Sequence, residues 1–168
     1  GANTAAFVVR RYSGGVWAAT TTGTRTSTST AITALNGIGE FAIGEQEINN
    51  YLVSAPTPQT ASTAFTTTVT ARDLLNQTVV ADNSTVVTMT GTGNVEFDSN
   101  GDSAFGDNTK TLSSGTFTIS TRDINAETIT ITATDTNGKT GTSGSIVINT
   151  SSSGGPYRSI GTGNWATT

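Results

Sequence analysis

Oxygen-bearing side chains alternate in one short segment, at Asp98, Asn100 and Asp102. Calcium takes six to eight oxygen ligands, and a D-x-N-x-D loop supplies three of them. The segment departs from the EF-hand pattern because it has no Glu at its twelfth position and its glycine, Gly101, comes fourth rather than sixth. The alternative is an Asx-rich turn in which Asp and Asn bond their own backbone. The sequence leaves both interpretations standing, and it predicts no other cofactor.

Acid–base and nucleophilic catalysis lack their usual residues in this chain. There is no histidine and no cysteine, so the commonest general base, thiolate ligands and disulfides are all excluded. A pair of carboxylates can hydrolyse glycosidic bonds when the two flank a cleft at a set separation. The available carboxylates fall mostly at predicted strand ends and turns, without clustered aromatic side chains; they are Glu40, Glu45, Glu47, Asp73, Asp123 and Asp135. We therefore expect a protein that is not an enzyme.

Aromatic side chains could stack on sugar rings, since an aromatic face with a polar rim suits a pyranose. The candidates are Trp17, Trp165, Tyr12, Tyr51 and Tyr157. The alternative is that these residues plug the core or anchor an interface. A carbohydrate-binding module thus remains the second hypothesis for the function of the chain.

Threonine occupies every second position in several runs of this chain, which has 37 threonines and 17 serines. A period of two is the β-strand period, and the β-branched threonine suits strands. One run has no apolar face, because the residues between its threonines are polar or glycine; its threonines are Thr20, Thr22, Thr24, Thr26, Thr28 and Thr30. Such a strand cannot anchor a core. We expect it to form an edge or an outer ribbon, and assign it, with Trp165, to self-association.

The elements that must position these residues are short strands separated by turn signals. Strands are predicted at 5–12, 16–19, 38–43, 65–71, 85–90, 94–97, 116–119, 128–136 and 146–148. Asn137-Gly138 is the best hairpin signal, since this pair favours a tight primed turn. The prolines at 56 and 58 predict a linker. The pattern indicates an all-β protein, an Ig-like antiparallel β-sandwich with an additional N-terminal β segment.

Residues 60–150 resemble bacterial immunoglobulin-like domains of the invasin and adhesin kind. The resemblance rests on the segments at 69–73 (VTARD), 97–101 (FDSNG), 110–112 (KTL), 115–119 (GTFTI) and 128–133 (TITITA), together with Asn76. It implies a non-catalytic module that acts as a spacer or an adhesive element.

The first block is similar to a segment that closes β-sandwich units in large secreted repeat proteins of the Bacteroidetes–Chlorobi group. The motifs are the segments 10–12 (RRY), 22–26 (TGTRT) and 40–45 (EFAIGE), with Trp17, whereas 157–159 (YRS) and 163–165 (GNW) resemble the opening of a next unit. We therefore predict three parts. They are an N-terminal β-strand segment at 1–53, an Ig-like sandwich at 54–150, and a Ser/Gly linker with the start of a following unit or a docking tail at 151–168.

Composition limits the partners. A net charge of −4 without a clustered basic surface argues against nucleic-acid binding, and no apolar run approaches the length of a membrane helix. We expect a structural module of an extracellular or cell-surface fibre or adhesin, with strand addition as one route of assembly. Its partners would be neighbouring modules or identical subunits, with surface glycans as the alternative.

Overall fold

A computed structural model describes residues 3–35 and 37–151. The chain is all-β, with one 3-10 turn at Thr4–Ala6 and no α-helix in the described ranges. The first five strands are β1 (Phe7–Ser13), β2 (Val16–Ala19), β3 (Thr21–Arg25), β4 (Thr30–Thr33) and β5 (Glu40–Glu45). The other strands are β6 (Asn50–Ser54), β7 (Gln59–Thr60), β8 (Phe65–Arg72), β9 (Val86–Gly91), β10 (Val95–Asp98), β11 (Thr109–Thr111), β12 (Thr116–Asp123), β13 (Thr128–Ile129), β14 (Ile131–Asp135), β15 (Thr140–Thr142) and β16 (Ile146–Asn149). No helix in these ranges could cross a membrane.

Two four-stranded antiparallel sheets form an Ig-like sandwich. One sheet has the order β10-β12-β8-β6 and the other has the order β11-β9-β14-β15. Alternate residues of each strand point into the core, as the period of two predicts. In β8 the inward set is Phe65, Thr67, Val69 and Ala71, and all four are buried. The predicted fold class is confirmed.

A third small sheet closes one side of the sandwich. Its order is β13-β16-β7, and β7 runs parallel to β16. The segment between β6 and β7, predicted as a linker, is the crossover that carries the chain from the first sheet to this one. Because β6 pairs with β8 from Asn50↔Arg72 to Ser54↔Thr68, the sandwich begins at Asn50. The predicted boundary between residues 53 and 54 falls within β6, and the division of the chain into three parts stays a prediction.

The N-terminal segment consists of a three-stranded sheet, β2-β1-β5, and a separate hairpin, β3-β4. The threonine run at 20–30 is not one strand. The Thr26 hydroxyl accepts hydrogen bonds from the amides of Thr28 (3.2 Å) and Ser29 (2.9 Å) and turns the chain between β3 and β4. A periodic pattern of Thr and Ser fits a strand and a self-capped turn equally well. The run thus forms a polar ribbon of two strands.

The second long threonine run is also divided. β13 pairs with β16, whereas β14 pairs with β9 and β15, so the chain changes sheets at Thr130. Thr92 holds this change of direction, because its hydroxyl accepts from the Thr130 amide at 2.9 Å and its amide donates to the Thr130 carbonyl at 3.0 Å. The predicted segment 151–168, including Tyr157 and Trp165, lies outside the described residues from position 152 onward.

Candidate functional site

The N-terminal sheet has very little interior of its own. Between residues 3 and 45, only Ala6 and Val9 are buried apolar residues of the described chain, whereas the sandwich core draws its buried residues from Tyr51 to Ile148. A sheet of three strands is stable when one of its faces packs against another layer. The N-terminal sheet therefore depends on what covers its faces and edges.

Side chains of Thr20 and of the β3-β4 hairpin bond to the first residues of β1 in place of a paired strand. β2 lies beside β1 only from Arg10 onward. Before Arg10, the Thr20 hydroxyl donates to the Val9 carbonyl at 2.5 Å, and the Val9 amide donates to the Thr22 hydroxyl at 3.5 Å. The Arg25 guanidinium donates to the Phe7 carbonyl at 2.5 Å. Together with Thr26, three of the predicted self-association threonines thus bond to their own chain through their side chains.

Both outer strands of this sheet are exposed. β5 is the edge on one side and β2 is the edge on the other, and every residue of both strands is exposed. Their large apolar side chains are Val16 (63% exposed), Trp17 (44%), Phe41 (40%) and Ile43 (58%). Neither outer edge has a strand partner within the described ranges. These two edges are the candidate functional surface of the molecule.

An ion pair joins the N-terminal sheet to the sandwich. Arg10 of β1 contacts Asp73, which follows β8, and Gln46 donates to the same Asp73 carboxylate at 3.0 Å. The second carboxylate oxygen accepts from the amides of Leu75 (2.9 Å) and Gln77 (2.8 Å). Burial raises the pKa of Asp73, but these hydrogen bonds and Arg10 outweigh it and leave the pKa below its usual range. The carboxylate is therefore a charged anchor between the two parts.

A groove of about 480 Å³ lies beside this anchor. One wall is the face of the N-terminal sheet that carries Val8 and Trp17, and the other wall is Leu74 and Leu75 of the sandwich. The ring of Trp17 contacts that of Tyr12, with centroids 5.2 Å apart. Of the five predicted aromatic residues, these two are brought together. Tyr51 instead lies in the core, where its hydroxyl donates to Asp135 at 2.9 Å.

The six predicted carboxylates are divided between the groove and the turns. Glu45, Glu47 and Asp73 line the groove. Asp123 and Asp135 are buried at strand ends, where each accepts a hydrogen bond from the backbone amide two residues later, at 2.7 Å and 2.9 Å. Glu40 is exposed at the start of β5. The structure therefore brings three of the six to one place.

The calcium-loop candidates lie after β10, and their oxygens accept hydrogen bonds from their own loop. The Asp98 carboxylate accepts from the amides of Gly101 (2.6 Å) and Ser103 (3.0 Å). The side-chain oxygen of Asn100 accepts from the Asp102 amide at 2.9 Å, and Asp102 accepts from the Ala104 amide at 2.8 Å. These are the contacts of an Asx-rich turn. No group of three His, Cys, Asp or Glu side chains placed so that it could hold a metal ion occurs in the described residues, and calcium binding stays a prediction.

Sequence reasoning missed two features of this surface. Arg10 and Asp73 are 63 positions apart, and neither lies in a motif that would pair them. The outward strand edges were also missed, because edge position depends on which strands pair. The exposed apolar residues of the segment 40–45 were the available hint, since they alternate with glycine, alanine and glutamate.

Comparison with known proteins gives likeness of fold alone. No protein-family model and no curated protein matches the chain. Among solved structures, a beta-glycosidase from Bacteroides vulgatus has a TM-score of 0.49 at 10% identity, covering 83% of this chain and 21% of that one. A glycosyl hydrolase family 2 member from Bacteroides cellulosilyticus has a TM-score of 0.48 at 12% identity, covering 86% and 22%. The chain thus spans about a fifth of the length of these enzymes.

Proposed function

We propose that this chain is a structural module of an extracellular or cell-surface fibre or adhesin, in which a neighbouring module completes its N-terminal sheet. One observation carries the proposal. The sheet β2-β1-β5 buries little apolar surface but exposes Val16, Trp17, Phe41 and Ile43 along its two edges.

Exposed edges of this kind favour pairing with another strand. An edge strand presents a row of unpaired amides and carbonyls, and monomeric proteins usually protect it with charge, proline or a cover. The central part of β5 has none of these, because Phe41, Ala42, Ile43 and Gly44 are uncharged and contain no proline. A partner strand would bury the two large side chains and satisfy the backbone.

The sandwich suits a spacer. Its buried residues form one continuous cluster from Tyr51 to Ile148, and its buried carboxylates accept hydrogen bonds within their own turns. The Arg10–Asp73 ion pair and the Gln46 contact attach the N-terminal sheet to it. The expected role of the sandwich is to hold the exposed edges of the N-terminal sheet and to separate them from those of neighbouring modules.

The test of this function is immunogold electron microscopy of cells that produce the chain, with antibody raised against residues 50–149. Labelling of surface filaments or of the outer cell surface is expected. Labelling confined to the cell interior would overturn the proposal. Cells that do not produce the chain serve as the control for non-specific labelling.

The groove supports a second candidate function, carbohydrate binding. Trp17 is 44% exposed there, and polar side chains including Gln46, Asn49 and Lys139 line the same groove. An aromatic face with a polar rim is the arrangement that binds a pyranose ring. A glycan array tests it, since Trp17→Ala should abolish any signal and Trp17→Phe should retain part of it. An array without signal for the unmodified protein removes this alternative.

A further inference from the structure

We infer that copies of this chain join head to tail, with the β5 edge of one copy pairing with the β2 edge of the next. The inference rests on the proposed function and names the partner of its N-terminal sheet. It follows from three properties of the two edges: the direction of their backbone groups, their charge, and the face on which their apolar side chains lie.

The first property is the direction of the backbone groups of β5. In an antiparallel ladder, alternate residues direct their amide and carbonyl to opposite edges. Those of Phe7 and Val9 face the hairpin, because they bond to Thr20, Thr22 and Arg25. Those of Val8, Arg10 and Tyr12 consequently face β5, where their ladder partners are Gly44, Ala42 and Glu40. The backbone groups of Phe41 and Ile43 therefore point outward.

The same alternation applies to β2. Arg11 directs its backbone groups to β2, where its ladder partner is Ala18. The backbone groups of Trp17 and Ala19 therefore point away from β1. Both edges of the sheet thus offer two outward residues spaced two positions apart, which is the pattern that a neighbouring strand can bond.

Charge distinguishes between the available partners of β5. The strand has Glu40 at one end and Glu45 at the other. Two β5 strands paired over their length would bring two carboxylates together at each end, and like charges across strands are destabilising. β2 contains no charged residue, so a β5 strand beside it meets no like charge on that strand.

The apolar side chains of the two edges also match. Directly paired residues share a face of the sheet. The register pairs Val16 with Ser13, Ile43 with Val9 and Phe41 with Arg11. Each of these apolar side chains therefore lies on the same face as its partner in β1. All three side chains are therefore on one face, because Val9, Arg11 and Ser13 alternate along β1. β5 and β2 both run antiparallel to β1, so a next copy in the same orientation sets its β2 parallel to β5 and keeps the same face. This parallel pairing would bury Phe41 and Ile43 against Val16.

The geometry of such a contact is heterologous, because it joins two different patches. A heterologous contact that does not close into a ring gives an open filament. One strand pair is a small interface, so a single contact is expected to be weak. The overall affinity is expected to rise when several modules are tethered in series. Linear multimers at high concentration are the expected form.

The test uses two substitutions that each block one edge. Ile43→Pro removes an outward amide from β5, and Ala19→Pro removes one from β2, while the ladder bonds to β1 are retained. Ile43→Val and Ala19→Thr keep the amides, and Ile43→Val also keeps an apolar side chain, so these two variants serve as matched controls. If circular dichroism shows that a proline variant has lost strand content, Ile43→Lys and Val16→Lys block the same edges with charge instead.

Sedimentation equilibrium up to about 1 mM and electron microscopy give the readout. The unmodified protein and the matched controls should form multimers that grow with concentration, and each blocked variant should be monomeric. An equimolar mixture of the two blocked variants should give heterodimers and nothing larger, because one intact β5 edge meets one intact β2 edge.

Three results would overturn the head-to-tail pairing. They are an unmodified protein that stays monomeric, a blocked variant that still assembles, and a mixture of blocked variants that stays monomeric. Each of these leaves the surface-labelling result unaffected, so failure of the pairing and failure of the proposed function are distinguishable.

Discussion

At the scale of single residues, the sandwich core contains a polar pair. The hydroxyls of Thr67 and Thr121 lie 2.7 Å apart, and both side chains are fully buried. The alternation of threonine in β8 assigns Thr66, Thr68 and Thr70 to the solvent face, and Thr67 falls on the other face. A buried hydroxyl is tolerated when it has a partner, and these two satisfy each other.

The pair leads to a prediction about the free energy of unfolding. Thr67→Val or Thr121→Val alone should cost about 1–3 kcal/mol, because each leaves one buried hydroxyl without its partner. The double variant should cost less than the sum of the two, since both polar groups are gone. Urea unfolding of the four proteins measures this difference. Strictly additive costs would show that the two hydroxyls do not interact.

A second prediction concerns acid. The pKa of Asp73 is lowered in the folded protein, so its contribution to stability is complete above the unfolded value of about 3.9 and is lost as pH falls through the folded value. Thermal unfolding midpoints of the unmodified protein should therefore drop below about pH 4. Asp73→Asn should have a lower midpoint at pH 7 and a shallower drop in acid.

Asp102→Asn is the matched control, since Asp102 lies in an exposed loop. Its thermal unfolding midpoint at pH 7 should match that of the unmodified protein. The pKa values of Asp82 and Asp107 are also lowered, because side-chain and backbone hydrogen bonds to their carboxylates outweigh burial, so Asp73→Asn should remove only part of the acid dependence. A profile identical to that of the unmodified protein would mean that Asp73 does not stabilise the fold.

At the scale of elements, the two sandwich sheets meet closely at one edge. A Cβ added to Gly141 of β15 would lie 1.8 Å from the Tyr51 carbonyl of β6, so only glycine permits this approach. Gly141→Ala should destabilise the protein by about 1–3 kcal/mol through overpacking. Gly144→Ala, at a position with nothing within 4 Å, should stay within about 0.5 kcal/mol. Thermal unfolding compares the two, and equal effects would contradict the close contact.

Elements were predictable where turn chemistry was local. Asn137-Gly138 gives a hairpin between β14 and β15, with Asp135 bonding the amides of Asn137 and Lys139 at 2.9 Å. The prediction of strands from the sequence failed where pairing between strands far apart in the chain decides the structure. Nothing in the sequence of residues 50–54 indicates that they pair with β8. The alternation of threonine at 20–30 continues through the turn between β3 and β4, so the pattern does not reveal that turn. Of the candidate site, Trp17 was predictable by type, but the ion pair and the strand edges were not.

At the scale of the whole molecule, stability is unevenly distributed. The core runs from Tyr51 to Ile148, and the N-terminal sheet adds only Ala6 and Val9 to the buried apolar residues of the described chain. Regions with few buried contacts open with a smaller free energy than the core. Residues 3–45 should therefore open without unfolding of the sandwich.

Hydrogen exchange tests this difference and the assembly together. In dilute protein, amides of β1 and β5 should exchange faster than those of β8 and β12, because the N-terminal sheet opens more readily. Within β5 the rates should alternate, since the amides of Ala42 and Gly44 face β1 whereas those of Phe41 and Ile43 face solvent. At concentrations where multimers form, Phe41, Ile43, Trp17 and Ala19 should become protected. Uniform slowing along β5 would instead indicate general stabilisation of the sheet without an added strand.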